Sequence, residues 1–290
     1  CKKGLLQNSE IYTCQFCNST FIRINNIPVL FAKENSLFSA RSASNPQSSG
    51  FNGSLVRLIS KILPDLTNNK FQNRALEKFI SSIKNLNCLV IGAGNDISIK
   101  KLLEKNNNAV ILTDVIATKS IDYVCDVRNL PFRDNEFDVV FVIAVLEHVL
   151  EPEIAISEIS RVLKFDGFVF SAIPFMQQVH MGKFDFQRYT LLGHRWLYRM
   201  FTLEEIGKTS GAGSALLWSI SSFGESFFRY SFYKLTVKFL VRSLLFWIKY
   251  FDYLQTNANN YCLGSYFVGK NKKKKTLTTN QLVDLYDELC

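Results

Sequence analysis

The stretch Cys88-Leu-Val-Ile-Gly-Ala-Gly-Asn-Asp96 constrains this chain more than any other. Its leading apolar residues, closed off by glycine, read as a buried strand. Gly92 and Gly94 read as a tight turn, and a helix is expected to start at Asn95 or Asp96. A strand that passes through a glycine turn into a helix is how a doubly wound α/β sheet opens a nucleotide-type site. Two glycines alone are weak evidence, but the runs that follow stand at fitting distances. Ala109-Val-Ile-Leu-Thr is closed by Asp114, Ile121-Asp-Tyr-Val-Cys by Asp126, and Phe137-Asp-Val-Val-Phe-Val-Ile by Ala144. Strands are predicted over 88–91, 109–113, 123–125, 138–143, 168–173, 205–209 and 264–269. Helices are predicted over 55–63, 73–83, 96–105 and 152–163. The alternation predicts an α/β fold with a doubly wound, seven-stranded sheet. Ligands sit at the carboxyl ends of such strands, so Gly92, Asp114, Asp126, Ala144 and Pro174 should converge.

The glycine turn is compatible with two cofactors, a dinucleotide or S-adenosylmethionine (SAM). A dinucleotide fingerprint needs a third glycine at its sixth position, so that the backbone can approach a pyrophosphate. Here that position is Ile97, and Asp96 stands where the anion would sit. A carboxylate suits the positive end of a helix but repels a phosphate placed there. SAM carries a sulfonium and an ammonium instead, and both tolerate nearby acids. The residues therefore favour SAM.

Residues 86 to 175 resemble a class I SAM-dependent methyltransferase of the methyltransferase type 11 kind, with its Rossmann-like sheet. The resemblance rests on Gly92-Ala-Gly94, on Asp114, on Asp126-Val-Arg-Asn-Leu-Pro-Phe132, and on Phe137-Asp138 through Leu146-Glu147-His148. The chain departs from that pattern at Val90, where the family often has an acid, and at Asp96, where it often has a third glycine. The resemblance implies that Gly92, Ala93 and Gly94 approach the methionyl moiety. Asp114 would take the ribose hydroxyls, and Asp126 with the Val127 amide would meet the adenine edge. Ile143 and Ala144 would line the cleft by backbone. Asp138 reads as structural, and His148 as a structural hydrogen-bonding residue. The stretch from Pro174 through His180 to Asp185, Arg188 and Tyr189 resembles a segment of sugar- and lipid-pathway methyltransferases. It implies His180 as a general base and Asp185, Arg188 and Tyr189 as substrate contacts. The competing expectation is a lid held by its own Asp185–Arg188 pairing.

Residues 1–32 read as a separate β-rich unit. Tyr12-Thr-Cys14-Gln-Phe-Cys17 is followed by an alternating run with a turn at Asn25-Asn26. It resembles a truncated Trm112-like zinc ribbon, which implies Cys1, Cys14 and Cys17 as metal ligands. A structural zinc site needs four ligands, so zinc is expected only in an intact precursor. Cys1 in place of Met reads as the start of a fragment or a processed product. Residues 33–54 read as a linker, 55–275 as the catalytic domain with a helical cap over 212–258, and 276–290 as a tail.

That cap is an insertion before the last predicted strand and is dense in aromatics, from Trp218 to Tyr253. Lys234, Lys238, Arg242 and Lys249 form one basic stripe along its second helix. A wide apolar face points to burial over the active site. The alternative is an interfacial helix on an anionic membrane. The acceptor is expected to be a small molecule, a sugar or a lipid-linked compound. Ribosomal or other RNA is the alternative acceptor, implied by the resemblance to a zinc-ribbon-plus-methyltransferase arrangement, which occurs among ribosomal RNA methyltransferases, and permitted by the net charge of +9. No recognisable nucleic-acid module accompanies that charge. A non-catalytic SAM-binding scaffold is the non-enzyme alternative. Seven cysteines, an odd count, suit a reducing cytoplasm, and no apolar run is long enough to cross a bilayer. The expected location is cytoplasmic, with peripheral contact at the inner membrane face under the interfacial reading.

Overall fold

A computed structural model of the chain describes residues 5–8, 11–14, 19–31, 69–180, 182–255, 258–272 and 277–286. Four short strands come first: β1 (Leu5–Asn8), β2 (Ile11–Cys14), β3 (Thr20–Ile24) and β4 (Ile27–Pro28) form an antiparallel sheet in that order. Asn25 and Asn26 join β3 to β4 with φ of 50° and 67°, the left-handed pair that a two-residue hairpin turn requires. The end of this sheet packs against the main core. Ile27, Val29 and Leu30 are buried, Val29 bridges Val124, and the Leu30 N–H donates to the Val124 carbonyl at 2.8 Å. Cys1, Cys17, the side chain of Cys14, the linker and the helix expected over 55–63 lie outside the described residues.

The main sheet contains β5 (Asn87–Ile91), β6 (Ala109–Asp114), β7 (Tyr123–Val124), β8 (Phe137–Ile143), β9 (Leu163–Pro174), β10 (Thr202–Ser210) and β11 (Gly264–Lys270), in the order β10-β11-β9-β8-β5-β6-β7. β7, β6, β5, β8 and β9 run parallel, and β11 is antiparallel to both of its neighbours. The order reverses beside β5, which pairs with β6 on one side and β8 on the other. Such a switch point opens a crevice at the strand ends.

The central strands are buried on both faces, as parallel strands must be. Cys88, Val90, Val139 and Phe141 join one apolar cluster, while Leu89, Ile91, Val140 and Val142 join the other. Helix α1 (Lys70–Ser82) covers the first with Leu76 and Ile80, and Phe79 meets Phe141, Phe168 and Phe170 there. Helix α3 (Pro152–Val162) covers the second with Ala155, Ile156, Ile159 and Val162. A fully buried aliphatic or aromatic side chain contributes about 1.5–3 kcal/mol, so these two faces dominate the stability of the domain.

Several elements differ from the predicted ones. Helix α2 (Ser98–Glu104) starts late, because the Asp96 carboxylate accepts the Ser98 N–H at 2.8 Å and holds a turn there. β9 starts early, because Leu163 already pairs with Phe137 before the register shift around Asp166-Gly167. The expected tail includes helix α7 (Thr279–Asp284), opened by a Thr278–Gln281 capping box.

The insertion between β10 and β11 holds α5 (Ala212–Ser226), α6 (Ser231–Leu245) and a 3-10 segment, Phe246–Tyr253. The basic stripe is therefore broken: α6 ends at Leu245, and Lys249 lies on the 3-10 segment. Lys238 is paired with Glu225 at 3.3 Å. Asp252, fully buried, holds the start of α5. Its carboxylate accepts from Gly213 N–H at 2.7 Å and from the Ser214 hydroxyl at 2.6 Å. The wide apolar face does not bury itself as expected. Leu217 and Val241 anchor a small cluster, but Phe223, Phe227, Tyr230 and Phe232 are exposed. Helix α4 (Leu191–Leu197) lies ahead of β10, and its His194 is buried between Ser265 of β11 and Ser171 of β9.

Candidate active site

The glycine turn follows β5. Gly92 and Gly94 have φ of 71° and 56°, values L-residues rarely adopt. A Cβ at Gly92 would also stand 2.3 Å from Cγ2 of Val145, whereas one at Gly94 would meet nothing within 4 Å. The turn is thus tight against the β8 loop and open on its other side, a backbone-lined cradle. β6 fixes its position: Ala93 N–H donates to the Thr113 carbonyl at 3.0 Å, and Gly94 N–H to Asp114 Oδ2 at 2.8 Å. Asp114 Oδ1 accepts from Ile116 N–H at 2.9 Å. Burial raises the Asp114 pKa, against the lowering effect of these backbone donors.

Across the switch point, Ile143 ends β8 and Ala144 follows with φ of 54°. A left-handed alanine costs roughly 1–3 kcal/mol and is held by its surroundings. Here its N–H donates to the Ala172 carbonyl at 2.9 Å. Ala144 is exposed and the next residue, Val145, packs on Gly92, so Gly92, Ala93, Gly94, Asp114, Ile143 and Ala144 gather at the carboxyl ends of β5, β6 and β8.

Asp126 stands at the end of β7, but its carboxylate is engaged locally. It caps Arg128 N–H at 2.9 Å and pairs with the Arg128 guanidinium at 2.7 Å. Val127 is buried behind it. Asp138 is structural, as expected: it accepts Asn87 N–H at 2.9 Å and pairs with Lys164 at 2.8 Å.

The segment after β9 folds back on the loop after β8, with Phe186 N–H on the Glu147 carbonyl and His180 beside His148. Asp185 and Arg188 form a two-pronged pair, one arm at 2.7 Å, and Arg188 also donates to the carbonyls of Gln177 and Gln178. Burial pushes the Asp185 carboxyl up, yet Arg188 and the His180 N–H outweigh it and hold the group well below the usual carboxylate range. The self-paired lid expected from the sequence is present, and both side chains still border the cleft. The Tyr189 hydroxyl donates to Gln187.

Under this segment lies a group that the sequence reading passed over. Glu147 is fully buried, and neither of its carboxylate oxygens has a hydrogen-bond partner. Burial raises its pKa to about 7. His148 Nε2 stands 3.7 Å from Glu147 Oε1, and His180 Nε2 3.9 Å from the same atom. His148 is lowered in pKa by burial, with its Nδ1 2.8 Å from the Phe184 carbonyl. The Phe186 and Gln187 N–H groups donate to the Glu147 backbone carbonyl, which explains how the segment folds back over it. The available signal was the adjacency of Glu147 to one of only three histidines. Between this segment and the insertion runs a cleft of about 640 Å³, bordered by Gln178, Asp185, Arg188, Ser222, Glu225 and Lys234.

Residues 89–171 match the family described as "Methyltransferase domain". The core is a SAM-dependent methyltransferase domain. The matched span of this domain runs from β5 into β9 and includes the glycine turn, Asp114, Asp126, Ala144 and Glu147. No curated protein matches the sequence. Among solved structures, the chain is similar to a putative sarcosine dimethylglycine methyltransferase from Galdieria sulphuraria, at 13% identity over 78% of this chain and 93% of that one, TM-score 0.46. It is similar to MccD protein at 16% identity over 67% and 95%, TM-score 0.45. It is also similar to Haemonchus contortus phosphoethanolamine N-methyltransferase 2 in complex with SAM, at 18% over 69% and 52%, TM-score 0.47. Among the described residues no helix of the methyltransferase domain is long and apolar enough to cross a membrane.

Proposed function

We propose that the domain methylates an apolar or lipid-linked acceptor, which enters through the cleft between residues 175–190 and the insertion at an anionic membrane surface. One observation carries this reading. Phe223 and Phe227 are each 68% exposed, Phe232 70% and Tyr230 71%, clustered at the junction of α5 and α6. Soluble monomers seldom leave a contiguous apolar patch of this kind uncovered, and such patches mark interaction sites. Lys234, two residues beyond Phe232 on α6, borders the cleft. Aromatic side chains with a cationic flank are the composition of an interfacial helix.

The cradle fits the cofactor, because Gly94 leaves open space beside a turn that Gly92 and Asp114 hold rigid. Bound SAM supplies a methyl group on an electron-poor sulfonium carbon. In this reading Gly92, Ala93 and Gly94 face its methionyl part, and Asp114 accepts from its ribose hydroxyls. Asp126 and the Val127 amide border the adenine, and Ile143 and Ala144 close the crevice. The main task of these residues is alignment, since in-line transfer needs a near-attack geometry. An acceptor hydroxyl must also lose a proton, and Glu147, His148 and His180 stand at the mouth to take it.

Vesicle co-sedimentation tests the acceptor reading. Binding should require anionic lipid and fall with added salt, each cation near the surface contributing about 1 kcal/mol. Phe227→Ser with Phe232→Ser, both at exposed positions, should release the protein without unfolding it. A chain that stays in the supernatant at low salt refutes the membrane reading and leaves a soluble acceptor.

A further inference from the structure

We propose that Glu147, His148 and His180 form a binding site for a first-row divalent metal ion of the zinc type. One ligand atom from each lies within 4.8 Å of the others. The hydrogen bonding around them assigns which atoms are free. His148 Nδ1 faces the Phe184 carbonyl at 2.8 Å, and a carbonyl only accepts, so Nδ1 carries the hydrogen and Nε2 the lone pair. His180 Nδ1 faces two acceptors, Asp185 Oδ2 and the Gln178 carbonyl, each at 3.4 Å. Its Nε2 is likewise left with the lone pair. Both Nε2 atoms stand near Glu147 Oε1, at 3.7 and 3.9 Å, and that oxygen has no hydrogen bond.

Three electron-pair donors therefore converge on one point inside the lid. A proton does not satisfy them, because 3.7 and 3.9 Å exceed the length of a hydrogen bond. A cation with bonds of about 2.0–2.2 Å to nitrogen and oxygen sets its ligands roughly 3.4 Å apart in a tetrahedron. The two distances to Glu147 lie a few tenths of an ångström beyond that value, and all three ligand atoms stay within 4.8 Å of one another. The backing is also that of a metal site: imidazoles that bind metal donate their other ring N–H to a carbonyl or a carboxylate. Phe184 supplies the carbonyl for His148, and Asp185 the carboxylate for His180, itself held by Arg188. Two imidazoles and one carboxylate suit zinc or iron(II) rather than magnesium or calcium.

Three protein ligands leave a fourth position open, as in catalytic rather than structural sites. Asp185 connects this group to the cleft it borders. The open position would take an oxygen of the acceptor, an alcohol, phenol or carboxylate. With metal bound, His180 is a ligand and no longer a base, and acidification of an acceptor hydroxyl falls to the cation. This last step rests on the acceptor entering by the cleft, whereas the metal site does not.

The test titrates cobalt(II) into the full chain after chelator dialysis, with visible absorption and calorimetry as readouts. Parallel titrations use His180→Asn, Glu147→Gln, and a Cys14→Ser with Cys17→Ser variant. One cobalt should bind with bands of nitrogen and oxygen ligation and no thiolate charge transfer. The cysteine variant should keep that ion. His180→Asn, on the exposed lid, should weaken it at least about tenfold, and Glu147→Gln more. Binding that is absent, that survives both site variants, or that disappears with the cysteines overturns the proposal. None of these outcomes bears on vesicle binding, so the two readings fail separately.

Discussion

Replacing Asp114 by Asn tests how the cofactor end of the site works. The structure sets the size of the effect. Both carboxylate oxygens already accept backbone N–H groups, Gly94 at 2.8 Å and Ile116 at 2.9 Å. The backbone donors do not exhaust the acceptor sites of the carboxylate, and in the proposed geometry the remainder takes the ribose hydroxyls. Asparagine offers one oxygen and turns an NH2 toward the second N–H donor. One ribose bond is then lost outright, and the other loses its charge assistance. A hydrogen bond to a charged group is worth about 1.5–3 kcal/mol, so SAM should bind roughly 10- to 100-fold more weakly.

Calorimetry with SAM and with S-adenosylhomocysteine separates the causes. The two share the ribose and differ in the sulfonium charge. A ribose role weakens both by a similar factor, whereas a purely electrostatic role weakens SAM alone. Thermal unfolding of the unliganded variant reports the separate cost of the mismatched Gly94 or Ile116 N–H, about 1–3 kcal/mol for a buried donor. If a folded variant binds both compounds within about twofold of the parent, Asp114 is only the brace of the turn and the ribose assignment is wrong.

Two further predictions concern the scaffold. Burial pulls the His194 pKa down to about 3, while an unfolded histidine titrates near 6.5. Below that value the unfolded chain gains a proton that the folded chain refuses, so stability is complete above about pH 6.5 and falls as pH drops toward 3. The slope is about 1.4 kcal/mol per pH unit. Unfolding free energies from denaturant titration at pH 7.5 and 5.0 should differ by about 2 kcal/mol more in the parent than in His194→Asn, the slope acting over the roughly 1.5 pH units below 6.5, and equal differences would show that the group does not govern the acid limb. Asp252→Ala removes the buried acceptor of Gly213 N–H and of the Ser214 N–H and hydroxyl at the start of α5. It should destabilise the insertion by about 1.5–3 kcal/mol. Hydrogen exchange should quicken across α5 and leave β5 and β8 protected; unchanged protection of α5 would refute the capping role.

What was legible before the structure follows from the range of the interaction concerned. The central strands appear as apolar runs because burial on both faces leaves no room for polar residues, and their predicted bounds differ little from those observed. The turn after β5 is visible because left-handed backbone demands glycine at 92 and 94. By the same logic Ala144 was not visible: it takes a left-handed φ without the residue that normally marks one. β10 was found only from Glu205 onward, and its start at Thr202 is set by pairing with Lys270 of β11, a partner far along the chain. Asp252 caps a helix from 38 residues beyond Ser214, a relation no local window contains.

The insertion and the lid mark the boundary of such reading most sharply. Helical periodicity states which residues share a face, not what covers it, so the aromatic face of residues 212–258 could be read as buried and is instead open. Glu147 presents the converse case. Its neighbours along the chain give an ordinary strand-to-helix link, with a carboxylate free to reach water. It becomes buried because residues 182–187 fold back, and Phe186 and Gln187 spend two backbone N–H groups on its carbonyl. The same return brings His180 beside His148, with ring centroids 5.0 Å apart. The chemistry at the mouth is thus a property of the loop closure, and a change that opens the loop, such as Arg188→Ala, should undo it without touching a ligand atom. Arg188 bonds Asp185 and three backbone carbonyls, those of Gln177, Gln178 and Gln187, so its removal frees Asp185, then His180, and the convergence on Glu147 is lost in that order.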